Sequence, residues 1–111
     1  MNGDDSIIVA ADLGITIQSF SDISNLLGAC LGSQGLILTE DDVSRAFFDL
    51  QSGLAGELFQ KFANYRIRLA LVVPDPQAYG DRFSELAYEH ATDSMIRIVR
   101  SQEEASTWLH D

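Results

Sequence analysis

Ile67-Arg68-Leu69-Ala70-Leu71-Val72-Val73 is a near-continuous apolar run, halted by Pro74 and Pro76. Seven residues suit a strand and are too few for a stable buried helix, and the β-branched and aliphatic content agrees. A strand with one wet face alternates apolar and polar side chains. A run without alternation is covered on both faces, which is the mark of a central strand in a largely parallel sheet. Proline offers no N–H to a sheet ladder, so the strand stops there.

Working outward, the flanks alternate in type. Toward the carboxyl end, Phe83, Leu86, Ala87 and His90 keep helical spacing, and Met95–Val99 reads as another strand. Ser101-Gln102-Glu103-Glu104 is a capping box opening a last helix, with Ala105, Trp108 and Leu109 facing inward. Toward the amino end, Leu54, Leu58, Phe62 and Tyr65, flanked by Ala55 and Phe59, predict a helix with a wide apolar face. Leu36–Leu38 reads as a short buried strand. Ile23, Leu26, Leu27, Cys30 and Leu31 form a further amphipathic helix, with Ser21 or Asp22 as N-cap and Gly35 ending it. Ile7–Ala11 and Ile15–Ile17, separated by Asp12-Leu13-Gly14, predict a β-hairpin.

The order is β-β-α-β-α-β-α-β-α. It predicts one α/β domain over residues 1–111, with a mixed, mostly parallel sheet and right-handed crossovers. In such sheets ligands sit beyond the carboxyl ends of the strands. Here that edge holds the loops Thr39–Ser52 and Pro74–Gly80.

The chain has 111 residues, 46% of them hydrophobic, and a net charge of −10. Residues 1–50 carry eight acids against the single base Arg45. Affinity for nucleic acid comes mainly from neutralising phosphates, so this surface predicts no nucleic-acid binding. A polybasic membrane-surface mode is excluded on the same ground, and no apolar run approaches the ~20 residues of a spanning helix. A basic protein partner is compatible with the charge. Met1–Asp5 lack the features of a secretory leader, and one cysteine permits neither an internal disulfide nor a thiolate cluster. The expected location is cytoplasmic.

Catalytic groups do not assemble in the sequence. Cys30 lies on an apolar stripe, His90 at a helix end where a cation suits the dipole, and His110 next to the last residue. No nucleophile, base and acid follow in a recognisable order, and no His-x-x-x-His or Glu-x-x-His spacing offers a metal site. Glu40-Asp41-Asp42, with Asp49 further on, lacks the alternating ligands of a calcium loop. No catalytic set, metal or cofactor is expected.

The unusual segment is Phe47-Phe48-Asp49-Leu50-Gln51-Ser52-Gly53-Leu54-Ala55-Gly56-Glu57. Adjacent Phe47 and Phe48 in extended chain cannot both enter one core, so one covers a neighbouring element or a partner. Gly53 and Gly56 near a helix start suggest close approach of the backbone to the sheet, a second subunit or a ligand. Free amides at a helix start favour anions, but Asp49 and Glu57 flank this one. Ser52 directly precedes the helix and reads as its cap. The candidate binding residues are Phe47, Phe48, Asp49, Ser52, Gly53, Gly56 and Glu57.

The same residues, with Gln60-Lys61-Phe62, Asn64-Tyr65-Arg66 and Arg68-Leu69-Ala70, resemble the signature of the bacterial family called domain of unknown function 4180. The resemblance extends to Phe83–Glu89 and Ser101–Leu109, although Ala87-Tyr88-Glu89-His90 departs from the family's usual run. It implies no particular activity. More distantly, the element order is similar to that of STAS domains, the modules of anti-sigma-factor antagonists and sulfate transporters. There a serine at the second helix start is phosphorylated. Ser52-Gly53-Leu54 matches their Ser-Gly-Leu, which places Gln51 at the acceptor position, so no phosphoswitch is implied. The resulting expectation is a regulatory or protein-interaction module that presents residues 47–57 to a protein partner or to a second copy. The alternative is a small-molecule-binding domain using the cleft at the strand carboxyl ends.

Overall fold

The apolar run around Leu69 is a central strand, hydrogen-bonded on both sides. The structure is a computed structural model describing residues 7–111; the first five residues, on which the reading of the chain start rests, lie outside the described residues. Its sheet has four strands in the order β1-β2-β3-β4, all parallel: β1 Ile7–Val9, β2 Gly35–Thr39, β3 Arg68–Val72 and β4 Ile96–Val99. The helices are α1 Ala10–Leu13, α2 Phe20–Cys30, α3 Leu54–Asn64, α4 Asp81–Glu89 and α5 Gln102–Leu109.

Crossovers of one hand, each stepping to the next strand, put their helices on a single face. Side chains of α2, α3 and α4 accordingly share one core with Leu36, Leu38, Leu69, Leu71, Ile96 and Ile98. Alternate strand residues Ile37, Ala70, Val72 and Val99 point the other way, onto Ala105, Trp108 and Leu109 of α5. Cys30 is buried in the larger core, where desolvation pushes its thiol up to about 11, well above the ordinary reactive range.

The expected hairpin is absent. Gly14 has φ +70° and closes the short helix α1 in the left-handed conformation, so the spacer ends a helix instead of turning a ribbon. Ile17 is buried but pairs in parallel with Val43 through a single bridge, its amide donating to Asp42 O and its carbonyl accepting from Ser44 N. The cap of α2 is Ser19, with Asp22 as the third helical residue of the capping box. Gly35 begins β2 and does not end α2. Leu31 and Tyr65 lie beyond the last turns of their helices and are exposed, not on the apolar stripes.

The edge strand β4 is sealed by the α4–β4 loop. Leu69 N donates to Met95 O and Val73 N to Val99 O, which turns the polar groups of Ile96 and Ile98 outward. Ile96 N donates to Asp93 Oδ2 at 2.8 Å, Ile98 N to His90 O at 3.0 Å, and the Ile96 carbonyl accepts from His90 Nδ1 at 3.0 Å. His90 thus blocks an open ladder edge that would otherwise invite strand addition. The Ile96 and Met95 amides hold the Asp93 carboxyl below its ordinary value. A depressed carboxyl stabilises the fold above the unfolded value of about 4, and that contribution is lost as pH falls through the lowered native value. Asp93→Asn is therefore expected to flatten the fall in urea midpoint between neutral and acidic pH. Parallel pH profiles for the two proteins contradict this.

Candidate functional site

The carboxyl ends of β2 and β3 open into the two loops where an α/β sheet binds its ligands. After Thr39 the chain makes a 3₁₀ turn, Glu40–Asp42. Thr39 N and Oγ1 both donate to Asp42 Oδ2, at 2.9 and 3.0 Å, and Thr39 Oγ1 accepts from Asp41 N. This reciprocal cap turns Asp42 inward and buries it, leaving Glu40 and Asp41 toward solvent. The acidic run is therefore divided between structure and surface.

A second 3₁₀ turn, Arg45–Phe48, resolves the problem of adjacent phenylalanines by rotating one about a tight turn from the other. Phe47 is fully buried in the core. Phe48 lies flat on Tyr79 from the other loop, ring centroids 3.7 Å apart and planes 9° from parallel, and meets Phe83 edge-on. The Tyr79 hydroxyl donates to Glu40 Oε1 at 2.5 Å. That bond, then desolvation and the negative charges of Glu40 and Asp41, push the Tyr79 hydroxyl up to about 12, while Arg45 pulls the other way.

These contacts tie the two loops together around an open groove of about 540 Å³, walled by Glu40, Arg45, Phe48, Asp49 and Tyr79 with Val43 at its base. Residues 40–49 hold four acids and one base. A tyrosine held protonated at neutral pH is no nucleophile. The groove offers recognition: an aromatic surface, carboxylates and one guanidinium.

Of the candidate residues, only Phe48 and Asp49 reach this groove. Asp49 also caps the next 3₁₀ turn, its Oδ1 accepting from Gln51 N. Gly53 has φ +82°, and a Cβ there would stand 3.5 Å from the Phe20 ring. Gly56 does not make the expected close approach: a Cβ would meet nothing within 4 Å. It occupies the outward face of α3, where the backbone is covered by solvent alone. Glu57 pairs with Lys61 one turn on, at 3.8 Å, an exposed contact of small energetic weight. The residues that sequence reasoning passed over are Tyr79, Glu40 as a hydrogen-bond acceptor, and Arg45. The only signal for Tyr79 was its place in the Pro74–Gly80 loop.

Ser52 is not the cap expected of it: Gly53, in the left-handed conformation, is the N-cap of α3, and Ser52 ends the preceding 3₁₀ turn, Leu50–Ser52, as a double connector. Its hydroxyl donates to Ala46 O at 2.8 Å and accepts from Leu54 N, the first amide of α3, at 3.2 Å. Ser52→Ala is expected to cost about 1 kcal/mol in urea unfolding. Protein from its native host is expected to show no serine phosphate at this residue, since a phosphoester leaves no proton to donate to Ala46. A mass shift of one phosphate abolished in Ser52→Ala refutes this role.

No curated protein and no solved structure matches the chain. The model of one family, described as Domain of unknown function (DUF4180), matches residues 2–109, the span that contains every element above, and the protein belongs to that family.

Proposed function

We propose that this protein is a cytoplasmic regulatory or protein-interaction module whose Phe48–Tyr79 groove receives a basic segment of a protein partner. The observation that carries the reading is the joining of the two carboxyl-end loops by the Phe48–Tyr79 stack and the Tyr79–Glu40 hydrogen bond. A hydroxyl that donates to a carboxylate enriches its ring, which suits a lysine or arginine side chain laid on the aromatic face. Glu40, Asp41 and Asp49 supply opposite charge around it, and the net charge of −10 steers a basic partner in. Arg45 forms no ion pair among the described residues and offers a handle for a carboxylate of the same partner. Ser52-Gly53-Leu54 at the start of α3 supports a STAS-like assignment, and Gln51 keeps that assignment free of a phosphoserine switch.

A photocrosslinking residue placed at Asp49 tests this in native lysate. A discrete basic protein is expected to be trapped from position 49 and not from Ala63, exposed on the outer side of α3, with a yield that falls as salt rises. Equal trapping from both positions, or a yield indifferent to salt, overturns the proposal.

A further inference from the structure

β1, β2 and β3 all send the chain to the face that carries α2, α3 and α4, whereas β4 sends it to α5 on the opposite face. Among the described strands, β3 and β4 are thus the neighbours whose outgoing connections diverge, and diverging connections open a crevice at the carboxyl edge. A concavity of about 220 Å³ lies there, bounded by Asp75, Pro76 and Gln77 after β3, Arg100 after β4, and one stripe of α4. It shares no residue with the Phe48–Tyr79 groove.

Its chemistry is mixed in a specific way. Among the described residues the Arg100 guanidinium donates only to the Pro74 carbonyl, at 3.5 Å, while its backbone amide donates to Glu104 Oε1, and neither Arg100 nor Asp75 enters an ion pair. Gln77 Nε2 donates to Ser84 Oγ at 3.3 Å, which leaves the serine proton available to another acceptor. Between these polar groups the walls are apolar: Pro76, Ala87, Ile98 and the ring of Tyr88. Tyr88 is 84% exposed, the barest large hydrophobic side chain among the described residues, and it stands on the pocket's wall. Polar groups of both charges beside a small apolar floor suit a small polar ligand.

We propose that this switch-point pocket binds a small zwitterion of the α-amino-acid class. Arg100 and the Ser84 hydroxyl take the carboxylate, Asp75 takes the ammonium, and a short side chain rests on Pro76, Ala87 and Ile98 beneath Tyr88. The volume equals roughly seven waters, room for a free amino acid. The inference does not rest on the partner groove.

The test is a two-dimensional amide NMR titration of the whole chain with each protein amino acid up to about 10 mM. At least one is expected to saturate, with shifts gathered on Gln77, Ser84, Tyr88 and Arg100 amides. Its decarboxylated amine and its deaminated acid are each expected to bind at least about tenfold more weakly. Arg100→Gln, Asp75→Asn and Tyr88→Ala should each weaken binding while keeping the wild-type melting temperature, since all three side chains are exposed. No saturable shift at these amides overturns the proposal. So does an amine or acid that binds as well as the parent, or undiminished binding by both Arg100→Gln and Asp75→Asn.

Discussion

Phe47→Ala is expected to remove about 3–5 kcal/mol of stability, because a fully buried phenylalanine leaves both its transfer free energy and a cavity behind. The site has little room to collapse. Phe47 is held in a 3₁₀ turn whose carboxyl-side neighbour, Phe48, crosses it edge-on with centroids 5.5 Å apart. A domain of this size has only about 5–15 kcal/mol in total, so the variant sits near the edge of folding. Two companions keep the outcome readable. Phe47→Leu retains most of the volume and is expected to cost less than half as much. Phe48→Ala, at a half-buried position, is expected to cost about 1–2 kcal/mol, mainly through the lost stack on Tyr79. Urea midpoints for the three rank them directly. A larger loss at Phe48 than at Phe47 contradicts this division of labour.

That division marks where sequence reading stops. The run at Ile67–Val73 announced a strand covered on both faces, because burial on two sides removes the alternation that solvent imposes. The helices from Ile23, Leu54 and Phe83 were equally legible, since a single buried stripe leaves a 3.6-residue period. The Asp12-Leu13-Gly14 spacer was not. A positive-φ glycine suits a helix end as well as a turn, and only pairing with distant Val43 decides where Ile17 goes. The two arginines set in strands were also silent. Arg68 and Arg97 each place a guanidinium 4.6 Å from the Trp108 ring centroid, and Arg68 Nη2 donates to Trp108 O at 2.9 Å. They turn the thin face of the sheet into an anchor for the end of α5.

The candidate site was legible as a region and not as a set. Carboxyl-end loops follow from strand order alone, so the sequence already marks Thr39–Ser52 and Pro74–Gly80. Which side chains meet across them depends on tight turns at Glu40–Asp42 and Arg45–Phe48, whose caps consume some acids and free others. Periodicity carries no record of such turns. This is why Ser52 and Gly53 proved to be local framework, while Tyr79, some thirty residues away, completes the groove.

Gly35 shows the same limit at greater energetic cost. Its place after a helical stripe suggested a helix terminator, yet it is the first residue of β2, opposite Arg68. A Cβ at this position would stand 2.6 Å from Leu109 Cδ2 and 3.0 Å from the Arg68 carbonyl oxygen. The carbonyl belongs to the paired strand and cannot retreat without opening the ladder. The Leu109 side chain is fully buried against the sheet, so its Cδ2 has little room to move aside, and the end of α5 is tied to β2 by the Leu109 carbonyl accepting from Gln34 Nε2 at 2.9 Å. Gly35→Ala is therefore expected to cost about 1–3 kcal/mol through overpacking, and Gly35→Val more, by driving α5 off the sheet. Trp108, the sole tryptophan, is 7% exposed on that helix and reports the event by fluorescence. Its emission should shift to longer wavelength in Gly35→Val before helical circular dichroism is lost. Gly28→Ala, where a Cβ meets open space on α2, should leave the emission unchanged and the midpoint equal or slightly higher. Wild-type emission and midpoint in Gly35→Val would mean that α5 and the β2–β3 ladder are not in contact at this glycine.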